Sequence, residues 1–277
     1  MSSRKLQVLG IDHINQLLAD TDEAIDFYER VYGAHVGEFW PVYRKHFGPY
    51  DNFVFKIGSM FVEIFTPGDP DHSFGRQFQR YGANWQGVLW RVPKLEDAIE
   101  ALQEHNVGLV DIEMDPERRW AFTDPRSTFF SIQIEDWTHW DKTIDPVQIG
   151  ANHMLGFTAV VDDAEAAAAF FLDLIDECGV EYHEDRPALK ATAIGLTVGP
   201  YVLELLSPYG DGEISAFLAK NRPRIRTATF GVDDLDTLRN GLQRNGITAR
   251  EGDRAGTLAV SPADNLGVMM QFAQRTV

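Results

Sequence analysis

The sequence predicts an α+β protein built from four βαβββ units, here called modules, arranged as two halves. Three observations carry this. A strand that alternates apolar and polar residues is followed by a capped helix, and the pairing occurs four times. Short strand candidates separated by turn residues follow the helices. Landmarks also recur at a fixed distance: His13 and His153 are 140 apart, Val92 and Val232 are 140 apart, and Glu63 and Glu204 are 141 apart. That regularity is the mark of an internal duplication.

In the first module, residues 9–18 alternate, with Ile11, His13, Asn15 and Leu17 on one face and Asp12, Ile14, Gln16 and Leu18 on the other. Asp20-Thr21-Asp22 supplies an N-terminal cap and an acidic first turn. Ala24, Phe27, Tyr28 and Val31 then follow at helical spacing until Gly33 stops the helix. Strand candidates come next near 36–40, 52–57 and 60–65, the last two separated by Gly58-Ser59. The second module, from "WQGVLWRVPKLEDAIEALQEHNVG", has a strand, a helix started by Pro93, a stop near Gly108 and strands at 118–123 and 129–135. The third, from "HMLGFTAVVDDAEAAAAFFLDLIDECG", continues with strands at 189–197 and 201–206. The fourth, from "IRTATFGVDDLDTLRNGLQRNG", continues with strands at 256–260 and 267–273. Residues 137–150, "WTHWDKTIDPVQIG", break the periodicity and read as a linker whose aromatics pack across the halves. The expected domains are therefore 1–136 and 151–277.

Composition narrows the class. The chain has 277 residues, 44% apolar and 24% charged, as an ordinary soluble globular protein has. No signal-type N-terminus and no apolar run near twenty residues is present, so a cytoplasmic protein with no membrane partner is expected. Cys178 is the sole cysteine, which allows no internal disulfide and no Cys-based metal site. A net charge of −17, from 25 basic and 42 acidic residues, argues against nucleic acid as a partner. No phosphate loop and no nucleophile elbow occurs, which disfavours phosphoryl and hydride transfer.

The stretches "IDHINQLLADTDEAIDFYERVYG", "VEIFTPGD", "VPKLEDAIEAL", "FTDPRSTFFSIQI", "VVDDAEAAAAFF", "LELLSPYGDG", "VDDLDTL" and "SPADNLGVMMQF" together resemble the vicinal oxygen chelate superfamily. That superfamily includes glyoxalase I, methylmalonyl-CoA epimerase, extradiol dioxygenases and the fosfomycin and bleomycin resistance proteins. The resemblance spans nearly the whole chain and is specific for the fold rather than for one reaction. It implies two glyoxalase-like domains whose mixed sheets curl into cups, each cup holding one divalent metal through side chains on the first and last strands of its modules.

Carried over position by position, the resemblance implies His13 and Glu63 as metal ligands in module one, with Gln133 in module two, where Gly87 stands at the first-strand position. In the second half it implies His153, Glu204 and Gln271, with Thr227 at the remaining place. His153 falls about two residues early, on the same face as the expected register. The superfamily pattern has a His or Glu where Gly87 stands. Imidazole, carboxylate and amide oxygen form a hard to borderline set suited to Mn, Fe, Co, Ni, Zn or Mg, with positions left for substrate. Glu63 doubles as the base in this reading.

The bland reading of His13 is a half-buried strand histidine satisfied by backbone. Against it stands Glu63, fifty residues on, with Phe61 and Phe65 on its face, where an unpaired carboxylate would be costly. Gln133, followed by Glu135 and Asp136, has a solvent-facing alternative. His35, His105 and His183 read as exposed residues at element ends, His46 and His72 as loop residues within reach of the cup, and His139 as structural. Met269-Met270 reads as core.

The implied function is a metal-dependent lyase or isomerase acting on a small organic substrate with vicinal oxygens. An extradiol-type dioxygenase is the first alternative, although that branch uses a first-strand His in both C-terminal modules. A metal-free binding protein is the second. Neighbouring modules, or modules one and four, could form a cup, and either a monomer or a homodimer fits.

Overall fold

The computed structural model describes residues 3–34, 45–46, 48–115, 118–136 and 150–274. The strand expected at 36–40, the segment 137–149 with His139, and His35 lie outside the described residues, as does the side chain of His46. Module one comprises β1 (Gly10–Leu17), α1 (Thr21–Tyr32), β2 (Lys45–His46), β3 (Tyr50–Ile57) and β4 (Met60–Pro67), followed by α2 (Ser73–Tyr81). Module two comprises β5 (Asn84–Arg91), α3 (Leu95–Glu104), β6 (Leu109–Asp115), β7 (Arg118–Thr123), α4 (Pro125–Thr128) and β8 (Ser131–Glu135). Module three comprises β9 (Ala151–Val160), α5 (Ala164–Leu174), β10 (Gly179–Arg186), β11 (Ala191–Val198) and β12 (Tyr201–Pro208), followed by α6 (Glu213–Asn221). Module four comprises β13 (Arg224–Val232), α7 (Leu235–Arg244), β14 (Ala249–Glu251), β15 (Thr257–Val260), a 3₁₀ turn (Pro262–Asp264) and β16 (Met269–Gln274).

The α+β class and the four βαβββ modules are as the sequence predicts. Two open, mixed sheets of eight strands each follow the sequence halves, in the orders β2-β3-β4-β1-β5-β8-β7-β6 and β10-β11-β12-β9-β13-β16-β15-β14. Strands β6, β10 and β14 were not legible from periodicity. Each is an edge strand with a largely exposed residue pattern, so no apolar alternation marks it.

Local chemistry explains the helix ends. Asp20 Oδ1 accepts from Glu23 N at 2.9 Å, and Gly33, at φ 64°, closes α1 with its N–H on Glu29 O. Asp163 and Asp234 start α5 and α7 in the same way. Helix α3 has no side-chain cap of its own, and Asp136 Oδ2 accepts from Leu95 N instead, at 3.1 Å.

The chain packs as two compact units that regroup the modules. One comprises Met1–Asp12, Gln86–Trp140 and Gly156–Ile225, and the other His13–Trp85, Asp141–Leu155 and Arg226–Val277. Strand order thus follows the sequence halves, whereas compact packing joins modules two and three in one unit and one and four in the other. In the unit holding modules one and four, α1 covers the face of β1 that carries Ile14 and Gln16, where Tyr28 donates to Gln16 Oε1 at 2.9 Å and stacks on Phe55. Burial drives the Tyr28 phenol far above its usual range. Tyr32 continues this row onto module four, donating to Asn265 Oδ1 at 2.8 Å and stacking on Phe272. In the other unit, Phe171 of α5 stacks on Phe130 and meets Trp90 edge-on, and Leu6 exchanges backbone hydrogen bonds with Leu174 and Asp176.

Candidate active site

In every module the first strand pairs parallel with the last, and always in the same register. Asn15 lies opposite Glu63, Leu89 opposite Gln133, Thr158 opposite Glu204, and Thr229 opposite Gln271. The residue two positions earlier on the first strand is His13, Gly87, Gly156 and Thr227 respectively. Gly156, not His153, therefore matches His13. His153 sits three residues before Gly156, an odd step that places it on the other face of the strand, so the expected same-face register does not hold. The 140-residue echo misleads because the first strands are offset by 143 residues (Asn15 to Thr158) and the last strands by 141 (Glu63 to Glu204).

Module one brings its two candidates together. His13 Nε2 lies 3.1 Å from Glu63 Oε2, with side-chain exposures of 6% and 18%. Asn52, on the adjacent strand β3, donates from Nδ2 to the other carboxylate oxygen, Oε1, at 2.8 Å. Asn15, opposite Glu63, shares this face and is buried. So do Phe61 and Phe65, which flank Glu63, and Lys56, whose ammonium lies 5.5 Å from the Phe61 ring centroid. Tyr50 lies at the rim, packed against Phe65 and Phe74 and stacked on His72. Burial, and then the Glu63 charge, hold its phenol above the ordinary range. His72 is the N-cap of α2 rather than a free loop residue.

The remaining candidates are differently engaged. Gln133 Nε2 donates to Glu135 Oε1 at 2.6 Å, and both residues are buried rather than solvent-facing. Glu135 shares the face of Gln133 by simple alternation, a signal present in the sequence. Glu204 is gripped by both terminal nitrogens of Arg186, by Tyr182 Oη at 2.6 Å and by Thr158 Oγ1 at 2.8 Å. Arg186, on β10, is the residue that sequence reasoning missed, because its strand was not legible. Gln271 Oε1 accepts from Asp253 N at 2.9 Å and Thr257 Oγ1 at 3.2 Å, beside a buried ion pair of Arg226 with Asp253. A Cβ on Gly156 would fall 2.0 Å from Val202 O, and one on Gly87 2.9 Å from Ser131 O, so neither position admits a side chain without a shift of the backbone. His105, expected to be exposed, buries its side chain and contacts Ala101 O and Asp173.

Residues 10–130 match the family described as Glyoxalase/Bleomycin resistance protein/Dioxygenase superfamily. This segment belongs to that superfamily. The whole chain has the corresponding fold: it aligns with a triple mutant of 4-hydroxymandelate synthase from Streptomyces coelicolor at TM-score 0.69 and 14% identity, covering 97% of this chain and 93% of that one. It also aligns with a xylose isomerase-like TIM barrel/4-hydroxyphenylpyruvate dioxygenase fusion protein at TM-score 0.69 and 12% identity, over 100% of this chain and 50% of that one. No curated protein matches its sequence.

A divalent ion is the cofactor this superfamily implies, and the His13–Glu63 pair fits one. Donors bonded at about 2.1 Å and 90° apart stand about 3.0 Å from each other, close to the 3.1 Å observed. Among the described residues no group of three or more His, Cys, Asp and Glu converges. The protein would therefore supply one imidazole and one carboxylate, leaving amide oxygens, water and substrate to complete the shell.

Proposed function

We propose that the chain is a divalent-metal-dependent enzyme of the lyase or isomerase type, acting on a small organic substrate with vicinal oxygens at the His13–Glu63 face of module one. The observation that carries this reading is the 3.1 Å approach of His13 Nε2 to Glu63 Oε2 in a largely buried setting. His13 and Glu63 would hold the ion. A bound divalent ion polarises neighbouring substrate oxygens and takes up the negative charge that develops on them.

The side chains divide the remaining work. Asn52 occupies Glu63 Oε1 and so holds Oε2 towards His13; the oxygen that would ligate the ion is then also the one that would take a proton from the substrate carbon on leaving it. Lys56 adds a positive charge on the same face, and the rings of Phe61 and Phe65 keep the local dielectric low, so each charge acts more strongly than in water. Tyr50, with its phenol kept protonated, offers an O–H donor near Glu63 at neutral pH. The second half holds no such arrangement at Glu204, where a guanidinium already satisfies the carboxylate.

Metal analysis of the full chain, purified without added metal or chelator, tests this reading. Stoichiometric ion that disappears in His13→Ala and Glu63→Gln supports it. No measurable affinity for any divalent ion sinks it and leaves a metal-free binding protein. A dioxygenase, an activity named in the description of the matching family and in the name of one solved neighbour, would use the same ion with molecular oxygen, and oxygen uptake on addition of catechols identifies that case.

A further inference from the structure

Asn15 is the residue of this face that the proposed function leaves unexplained. It is 1% exposed, and its Oδ1 is buried with no hydrogen-bond partner among the described residues. Strand pairing puts it directly opposite Glu63 and on the face of His13. An amide oxygen and a carboxylate are both acceptors, so placing them side by side in a buried setting is unfavourable unless a cation or a donor lies between them. Glu63 has one oxygen on Asn52 and the other beside His13, and Asn15 contributes no bond to either.

The second half shows how the same pairing is satisfied when no ion is needed. There Thr158 holds the Asn15 position and donates its hydroxyl to Glu204 Oε1 at 2.8 Å, while the Arg186 guanidinium supplies the positive charge. Asn15 in its place presents an acceptor. We infer that Asn15 Oδ1 is a third protein donor to the divalent ion, completing a His13, Glu63, Asn15 set within module one. This inference rests on the metal-dependent reading. The set adds a neutral oxygen, a donor that suits oxygen-seeking ions such as Mn²⁺ and Mg²⁺.

Calorimetric titration of Mn²⁺ alone into the metal-stripped full chain tests it, with thermal melting of each variant run in parallel. Asn15→Leu is expected to weaken Mn²⁺ at least about tenfold, the lower end of the effect of losing even an outer partner of a metal site. Asn15→Asp, nearly the same shape, is expected to bind Mn²⁺ more tightly than the wild type and to gain more in melting temperature when the ion is added. If the wild type binds Mn²⁺ in a Glu63-dependent manner and both Asn15 variants bind it equally well, Asn15 is not a ligand and the inference fails alone. If the wild type binds no Mn²⁺, the metal-dependent reading fails with it.

Discussion

His13 Nε2 lies 3.1 Å from Glu63 Oε2, across neighbouring parallel strands. The matching carboxylate in the second half, Glu204, meets a guanidinium instead of an imidazole. One duplicated position has thus become a candidate reaction centre and the other an internal ion pair, and the predictions below separate those two roles.

Asn52 fixes the direction of the Glu63 carboxylate by occupying Oε1. Asn52→Leu should lower metal affinity and turnover by roughly 10- to 100-fold, as losses of outer-shell partners do. Metal titration and circular dichroism together check this: the affinity falls while the spectrum stays that of the wild type.

Arg186 and Glu204 are 7% and 8% exposed at their side chains. Arg186→Met leaves a buried carboxylate without its cation and should destabilise the chain by about 3–5 kcal/mol. Adding Glu204→Leu removes the stranded charge and should recover most of that loss. Urea unfolding of the single and double variants decides it, and metal binding at His13 should be unchanged in the double variant.

Gly156 leaves no room for a methyl group beside Val202 O. Gly156→Ala should cost about 1–3 kcal/mol through overpacking, again read from urea unfolding. Gly87→His should gain no metal affinity, since its Cβ would press on Ser131 O before the imidazole reached any ion. A tighter titration curve for that variant would count against this account of the two glycines.

Burial pushes the Cys178 thiol up to about 11. A raised value means less thiolate at neutral pH, so alkylation by iodoacetamide should be slow at pH 7.5 and accelerate as pH rises towards 11. Mass spectrometry of timed samples measures it, and a fast reaction at pH 7.5 contradicts the burial.

Much of this was readable from residue order. The capped helices after Asp20, Asp163 and Asp234 announce themselves because N-cap chemistry is local. Glu63 stood out because it interrupts an apolar strand face. Edge strand β10 gave no such signal, and with it Arg186 escaped notice, although that residue decides what Glu204 does.

The amino-acid sequence by itself determined the βαβββ module and its fourfold recurrence, because periodicity and capping act over a few residues, and its resemblance to a superfamily made His13 and Glu63 candidates. Only the tertiary structure decided the register between first and last strands, which puts Gly156 and not His153 at the His13 position. It also decided that modules one and four pack as one compact unit. Both depend on pairings between segments far apart in the chain, and a shift of a single residue in a strand turns every side chain to the opposite face.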